Sequence, residues 1–424
     1  SRDEVKDELR RFLASVNLSV FTGVSLGLET VVPDFLSQRS VYGPTRENLG
    51  VYADYIQESN LLATAIVECF RERETNKPIF TPSIIVKVRP ETLRDPEAES
   101  LLLKAHGLAV DGLPYFANLT PRGETYASFT ATGMRLVDDW KEDWELETIR
   151  TGCIDHVSLN LPRAMYESGK DRNSFFRNLD DLSEMGLRAL EIKYHIMRKR
   201  AQEGLLPFLM QKEEREPYFR LENSCCLLSL IGLNEAVESL TEKPIHQAGD
   251  ALSFAEEVAE FMSKLVKGYA KRRGIRFTLA LAPDAEAARR LAQLDVEKYG
   301  LAEVHTQGGR ENPFYTNMTV TPYGAGLPLD DYLAIESRFH PAFSSSHLVK
   351  IPLKESDEDA EQLLATTNKI VRQYRIGLYT YDRSLTYCGN CQRTFYGEQQ
   401  KCPECGSVNA ITRFTREPAR YTAK

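Results

Sequence analysis

Pro78-Ile-Phe-Thr-Pro-Ser-Ile-Ile-Val-Lys-Val88 is a nearly continuous apolar run. It has the pattern of a strand covered on both faces, as in the sheet of an α/β protein. Helical spacing precedes it from Tyr52 to Glu72 and follows it from Glu97 to Asp111, and Leu113-Pro-Tyr-Phe-Ala-Asn118 then reads as another short strand. Strand, helix and strand alternate, which favours a parallel sheet or barrel over a sandwich. Further upstream, Asp3 to Asn17 places Val5, Leu9, Phe12, Leu13 and Val16 on one helical face. The stretch from Gly23 to Pro33 reads as a strand closed by its proline. Downstream, Cys153–Asn160, Arg276–Ala282, Phe314–Thr321 and Ser346–Pro352 read as strands, and Ser224–Gly232 as a buried strand or the start of a buried helix. Long helical stretches run from Ser174 to Gln202, Phe254 to Arg273 and Asp284 to Leu294. No internal repeat or low-complexity linker interrupts them. One continuous domain over residues 1–384 is therefore expected, with a small appendage over 385–424.

The appendage carries Tyr387-Cys388-Gly389-Asn390-Cys391, ten further residues, then Cys402-Pro403-Glu404-Cys405-Gly406. Two C-x-x-C pairs on glycine turns let four sulfurs converge on one ion at about 2.3 Å, which is the pattern of a closed structural Zn2+ site. Cys388, Cys391, Cys402 and Cys405 are the predicted ligands. Two disulfides or four unrelated core cysteines are the alternatives.

Charge is plentiful and the net charge is -8, which argues against a general nucleic-acid binder. The other four of the eight cysteines (Cys69, Cys153, Cys225, Cys226) lack the even framework of a secreted scaffold, so a reducing cytoplasm fits best. No apolar run reaches the roughly 18 residues that a membrane span needs, and no basic-then-apolar leader opens the chain. The sequence begins with Ser1 and its first residues already look helical; a further upstream piece is expected.

Several strings taken together resemble one family. They are Pro114-Tyr-Phe-Ala-Asn118, Thr151-Gly152 with Val157-Ser-Leu-Asn-Leu-Pro-Arg163, Ile231-Gly-Leu-Asn-Glu-Ala236, Asn312-Pro-Phe-Tyr-Thr-Asn317, Phe339-His340 with His347, and the cysteine module. In this order they resemble the class III anaerobic ribonucleoside-triphosphate reductases, with this chain a divergent member covering the C-terminal part. The resemblance implies a ten-stranded α/β barrel of the glycyl-radical type, or part of one, followed by a zinc site that anchors the radical-bearing loop. It also implies reduction of ribonucleotides to deoxyribonucleotides, a radical-SAM activase partner and a thiyl on a loop inside the barrel.

The chain departs from that pattern at the reacting atoms. In Thr415-Arg416-Glu417-Pro418-Ala419-Arg420-Tyr421, Arg420 stands where the resemblance implies the radical glycine. In Ala127-Ser-Phe-Thr-Ala-Thr-Gly-Met-Arg135, the tip expected to carry the loop cysteine reads Thr132, Gly133, Met134. Cys153 is the nearest cysteine, at the start of a strand, where core packing is the simpler reading. The glycine-rich run expected before His347 is Ser344-Ser345-Ser346. Impaired radical chemistry is the expectation, and a radical-silent paralogue serving as a nucleotide-binding, regulatory or assembly component is the alternative.

Other constellations remain open in the sequence. Asn118, by analogy, and Asn234-Glu235 are candidates to bond a ribose, the latter equally a helix cap; Ser344–Ser346 with His347 could hold a phosphate of a nucleoside triphosphate or form a structural turn. Cys225-Cys226 point to opposite faces of a strand and seldom bridge, so they read as core. Asp138-Asp-Trp-Lys-Glu-Asp-Trp-Glu145 reads as a surface loop contacting another subunit, in keeping with a homo- or hetero-oligomer or a complementary chain.

Overall fold

The computed structural model describes residues 2–18, 25–72, 82–110, 112–121, 127–130, 134–136, 151–207, 209–213, 216–217, 219–247, 249–322, 324–343, 346–353 and 359–414. The tryptophan-bearing acidic stretch, Gly133, Ser344, Ser345 and Arg420 lie outside the described residues. Strands are β1 (Ser25–Glu29), β2 (Ser40–Tyr42), β3 (Asn48–Val51), β4 (Ser83–Val88), β5 (Tyr115–Asn118), β6 (Ser128–Phe129), β7 (Arg135–Leu136) and β8 (Cys153–Asn160). They continue as β9 (Lys212–Glu213), β10 (Glu216–Pro217), β11 (Cys225–Ile231), β12 (Arg276–Ala280), β13 (Leu348–Pro352), β14 (Leu378–Asp382), β15 (Leu385–Cys388), β16 (Arg393–Tyr396) and β17 (Ile411–Phe414).

Five strands form a sheet in the order β1-β4-β5-β14-β13, and three form a second in the order β12-β11-β8. A parallel bridge between Leu281 and His347 joins them, with the Leu281 amide donating to the Ser346 carbonyl at 2.6 Å. The result is an eight-strand arc in which every pairing is parallel except β14 with β5. Direction thus reverses once, giving β1, β4 and β5 one sense and the remaining five the other. Helices Arg172–Gln202 and Gly249–Arg273 cover β8, β11 and β12 from outside, while Ile56–Glu72, Pro96–Ala109 and Ala360–Gln373 share a second core with β4, β5, β13 and β14.

The opening run behaves as read, since Ile84, Ile85, Val86 and Val88 are all buried. Cys226 packs outward among helices and Cys225 inward beside Met134 and Leu136, as alternation along a strand demands. Phe314–Thr321 is not a strand: only Phe314 bridges, to Gln307. Its backbone is claimed by side chains instead. Glu235 accepts from the Thr316 amide at 3.0 Å, and Glu336 accepts from the Val320 and Thr321 amides at 3.2 and 2.8 Å. With the Thr316, Val320 and Thr321 amides so engaged, those positions do not donate to a ladder.

At the carboxyl ends of β1 and β4, Glu29 accepts from Lys87 Nζ at 2.8 Å and from Arg89 Nε and a terminal guanidinium nitrogen at 2.7 and 2.8 Å. Burial by itself would raise this carboxyl; the Lys87 charge first, and then Arg89, outweigh it and hold it at about 2. A folded-state value below the unfolded one stabilises at pH above the ordinary carboxylate range, and that stability is lost as pH falls toward 2. Glu29→Gln is expected to cost about 3 kcal/mol at neutral pH, because the Arg89 side chain, 3% exposed, loses its carboxylate. Urea unfolding should show the gap between variant and wild type closing as the pH is lowered through 4; an unchanged gap would refute the assignment.

Candidate functional site

The barrel interior and the cysteine module meet around a cavity of about 780 Å3. β4 supplies Ser83 and Ile84, β5 Tyr115, β13 Lys350, and β14 Thr380 and Asp382. Asn317 and Met318 come from the interior segment, and Tyr387, Thr394 and Phe414 from the module. The position of Met318 follows from how its segment is held. Gly232, left-handed at φ +77, donates its amide to the Thr316 carbonyl at 2.8 Å, and Glu235 and Glu336 grip the two ends. Between these clamps Met318 adopts φ +68, a conformation uncommon outside glycine. Its side chain packs among Ile85, Ala117, Leu119, Leu348 and Leu378.

Glu235 accepts from the Thr316 hydroxyl at 2.6 Å, the Gln307 amide at 2.8 Å and the Asn234 amide at 3.3 Å. Burial raises its carboxyl, and the hydrogen bonds from Thr316 and Gln307 offset part of that rise. Asn234 Oδ1 in turn accepts from the Ile245 amide at 3.0 Å. The pair therefore sits in the core and supports the interior segment. Glu336 also meets His347 Nε2 at 2.6 Å, with both side chains fully buried, and the His347 ring stacks 6.3 Å from that of His340.

Asn118 is buried at the end of β5, its Oδ1 accepting from the Thr120 amide and hydroxyl at 3.1 and 2.7 Å. Ser346 is buried at the junction of the two sheets. None of Asn118, Asn234, Glu235, Ser346 and His347 is among the residues lining the cavity. Met134 is buried at the loop end of the β6–β7 hairpin, in a cluster with Leu136 and Cys225 against which Cys153 packs; Cys153 is the register partner of Cys225.

The sequence reading did not single out Glu336, Lys350, Thr380 or Asp382. The last three alternate with apolar neighbours on strands, which signals a two-faced strand and nothing about a cavity. It also passed over Asp284, which accepts from His156 Nε2 at 3.2 Å and Ser158 Oγ at 2.9 Å. Those two residues share one face of β8, two positions apart. The hydrogen bond to Asp284 raises the His156 imidazole despite its partial burial.

Cys388, Cys391, Cys402 and Cys405 converge, with all four sulfurs within 4.8 Å of one another. Cys388 and Cys405 lie 3.7 Å apart, Cys391 and Cys402 3.5 Å. A tetrahedron of sulfurs with metal–sulfur bonds of about 2.3 Å has edges of about 3.8 Å, so the quartet fits one metal ion. β15 pairs with both β16 and β17; Cys388 ends β15, and the two connecting loops present Cys391, Cys402 and Cys405. Gly406 turns one loop at φ +69, and the Cys405 amide points at Cys402 Sγ at 3.5 Å. The Ser407 backbone amide first, then the Asn390 side-chain amide, hold the Cys405 thiol down to about 6, as suits a thiolate ligand. Without a cation a thiolate there opposes ionisation of its neighbours; burial and hydrogen bonds to Cys402 and Cys388 push Cys391 up to about 12.

The family model described as anaerobic ribonucleoside-triphosphate reductase matches residues 1–416. The anaerobic ribonucleoside-triphosphate reductase of Haemophilus influenzae is 26% identical over 276 residues, covering 59% of this chain and 36% of the relative. Among solved structures, the anaerobic ribonucleotide reductase from Thermotoga maritima with glycerol in the active site superposes with a TM-score of 0.73 at 15% identity, over 96% of this chain and 63% of that one. The same enzyme in complex with dATP and CTP gives 0.73 at 15% identity over 97% and 67%. A protein of 1,2-propanediol dehydration in Roseburia inulinivorans gives 0.52 at 13% identity over 81% and 50%. These structures speak to the fold, and the chain spans about a third of the curated relative and less than two thirds of the first solved structure. Among the described residues no helix is long and apolar enough to cross a membrane.

Proposed function

The chain belongs to the anaerobic ribonucleoside-triphosphate reductase family, and from that membership we propose that its barrel takes a nucleoside triphosphate while its radical chemistry is impaired. The observation that carries the reading is the 780 Å3 cavity, lined jointly by barrel strands, the clamped interior segment and the cysteine module. It is of the size that small-molecule sites occupy. Tyr115 and Tyr387 offer aromatic faces for a base, and Asn317, Thr380 and Lys350 offer polar groups for a sugar phosphate. The Thermotoga relative has been solved with dATP and CTP, which supports this ligand class.

Thiyl formation needs a cysteine at the tip of the β6–β7 hairpin and a radical-bearing glycine after the cysteine module. The sequence supplies Thr132, Gly133 and Met134 at the first place and Arg420 at the second. The metal is Zn2+ in this reading, held by Cys388, Cys391, Cys402 and Cys405, and its role is to hold β15–β17 together. In this reading the protein is cytoplasmic and works beside an activase or a complementary chain.

Two measurements test this. Calorimetry with ribonucleoside triphosphates should show saturable binding, and absence of binding by all four would overturn the nucleotide reading. Incubation with a radical-SAM activase, S-adenosylmethionine and reductant should leave the electron paramagnetic resonance spectrum without a glycyl doublet. Appearance of that doublet would overturn the impairment.

A further inference from the structure

A second cavity, of about 440 Å3, shares no lining residue with the first. His246, His305 and Glu238 all line it, beside Gln307 and the apolar side chains of Leu301 and Val304. Each of the three is carried by a segment tied to the helix Leu233–Thr241. Glu238 belongs to that helix. His246 follows Ile245, which is buried and whose amide donates to Asn234 Oδ1 at 3.0 Å. His305 is pinned on both sides. Its own amide donates to the Tyr166 hydroxyl at 3.1 Å, an oxygen that also accepts from Ser239 Oγ at 3.3 Å, and two residues on, the Gln307 side-chain amide reaches Glu235 at 2.8 Å. The helix thus fixes where both imidazoles enter the cavity.

His305 Nδ1 stands 3.5 Å from Glu238 Oε1. That is long for a hydrogen bond, whose nitrogen–oxygen distance is usually about 2.9 Å. It is the spacing of two ligands on one tetrahedral ion, which stand about 3.4 Å apart when metal–ligand bonds are about 2.1 Å. The buried Nδ1 of His246 has no hydrogen-bond partner among the described residues. Burial lowers this imidazole and outweighs the nearby Glu238 charge, so the ring is neutral at pH 7, as a metal ligand must be.

We propose that His246, His305 and Glu238 bind a second divalent transition-metal ion, of the Zn2+ kind, with water in the remaining position. Two imidazoles and one carboxylate suit the borderline first-row cations, whereas Mg2+ and Ca2+ take oxygen ligands. His305 and Glu238 already stand at ligand spacing. His246 is further off, since among the described residues only the four cysteines have donor atoms all within 4.8 Å of one another. It closes on the ion by turning about its side-chain bonds, which its partial exposure leaves free to turn.

Such an ion ties His305 to the helix next to a contact on which the barrel interior depends. Gln307 is one of the donors that hold Glu235, and Glu235 accepts from Thr316, the residue before cavity-lining Asn317. The second site therefore steadies the wall of the first cavity without entering it, and it binds metal whether or not that cavity takes a nucleotide.

The test uses the full chain with one equivalent of Zn2+ already in the cysteine cluster. Calorimetric titration with further Zn2+ should show one more equivalent bound with a micromolar Kd, and Mg2+ should not compete for it. His305→Ala, Glu238→Gln and His246→Ala should each weaken this second equivalent at least tenfold, while the cysteine-bound equivalent and the circular dichroism melt before the second addition stay as in the wild type. His195→Ala removes another histidine that lies near a glutamate, Glu191 at 3.8 Å, and should leave the second equivalent as it is. Co2+ supplied as the second ion should give weak visible bands without a near-ultraviolet sulfur charge-transfer band, the mark of nitrogen and oxygen ligands. No second equivalent at about 100 μM Zn2+ overturns the proposal. So does binding that survives any of the three changes, binding lost with His195→Ala, or a sulfur charge-transfer band, each of which assigns the ion to another place.

Discussion

Stripping the metal from the four-cysteine cluster, by chelation or by Cys402→Ser, is expected to unfold β15–β17 and to remove one wall of the barrel cavity. The reason is the small apolar content of the module. Its fully or nearly buried residues are few, chiefly Leu385, Thr386, Cys388 and Cys402, and three short strands with that little core are not stable alone. Structural zinc in modules of this kind contributes about 10–16 kcal/mol of apparent binding free energy, which is folding free energy. Cys402, 1% exposed, is a ligand that water does not readily replace. Hydrogen exchange over residues 385–414 should rise to near-unprotected rates on chelation, with one equivalent of metal released. Nucleotide affinity should fall at least tenfold, because Tyr387, Thr394 and Phe414 line the cavity. The rest of the barrel should keep its protection, since its core clusters contain none of the module's residues. Unchanged exchange after complete metal loss would show that the strands hold without the ion.

Glu235→Ala is expected to be the most damaging single change within the barrel, at about 4 kcal/mol. It removes the acceptor for the Thr316 amide, the Thr316 hydroxyl, the Gln307 amide and the Asn234 amide together, and it leaves those buried donors and a cavity behind. The segment 314–321 has no ladder to fall back on, so its exchange protection should collapse while that of β11 persists. Glu336→Ala should act at the other end of the segment, freeing the Val320 and Thr321 amides and His347. Glu235 also carries a pH signature opposite to that of Glu29. Its carboxyl is raised by burial, so its contribution favours the fold below the ordinary carboxylate range and is lost as pH rises through the folded value. A Glu235→Ala cost below about 1 kcal/mol, within the range of ordinary surface changes, would show that the interior segment is held by packing alone.

What the chain determined by itself is local. The run Pro78–Val88 announces a doubly covered strand because each apolar side chain reports its own removal from water, and Ile84, Ile85, Val86 and Val88 are buried accordingly. The C-x-x-C pairs announce convergence because two residues between thiols on a turn leave the sulfurs little choice. Cys225 and Cys226 part to opposite faces by the pleat of a single strand. Tertiary structure decided the rest. Phe314–Thr321 has the alternation of a strand, yet its amides meet carboxylates contributed by helices 81 and 15 residues away in sequence. Asn234-Glu235 is compatible with a sugar ligand or a helix cap, and the approach of Thr316 and Gln307 makes it a support inside the core. Lys350, Thr380 and Asp382 became cavity walls only when β13 and β14 paired and the cysteine module closed over them. Periodicity encodes how one segment faces water or core. Which acceptor meets a distant donor, and where strands leave a space between them, is set by the joint packing of segments far apart in the chain, and no local pattern carries that information.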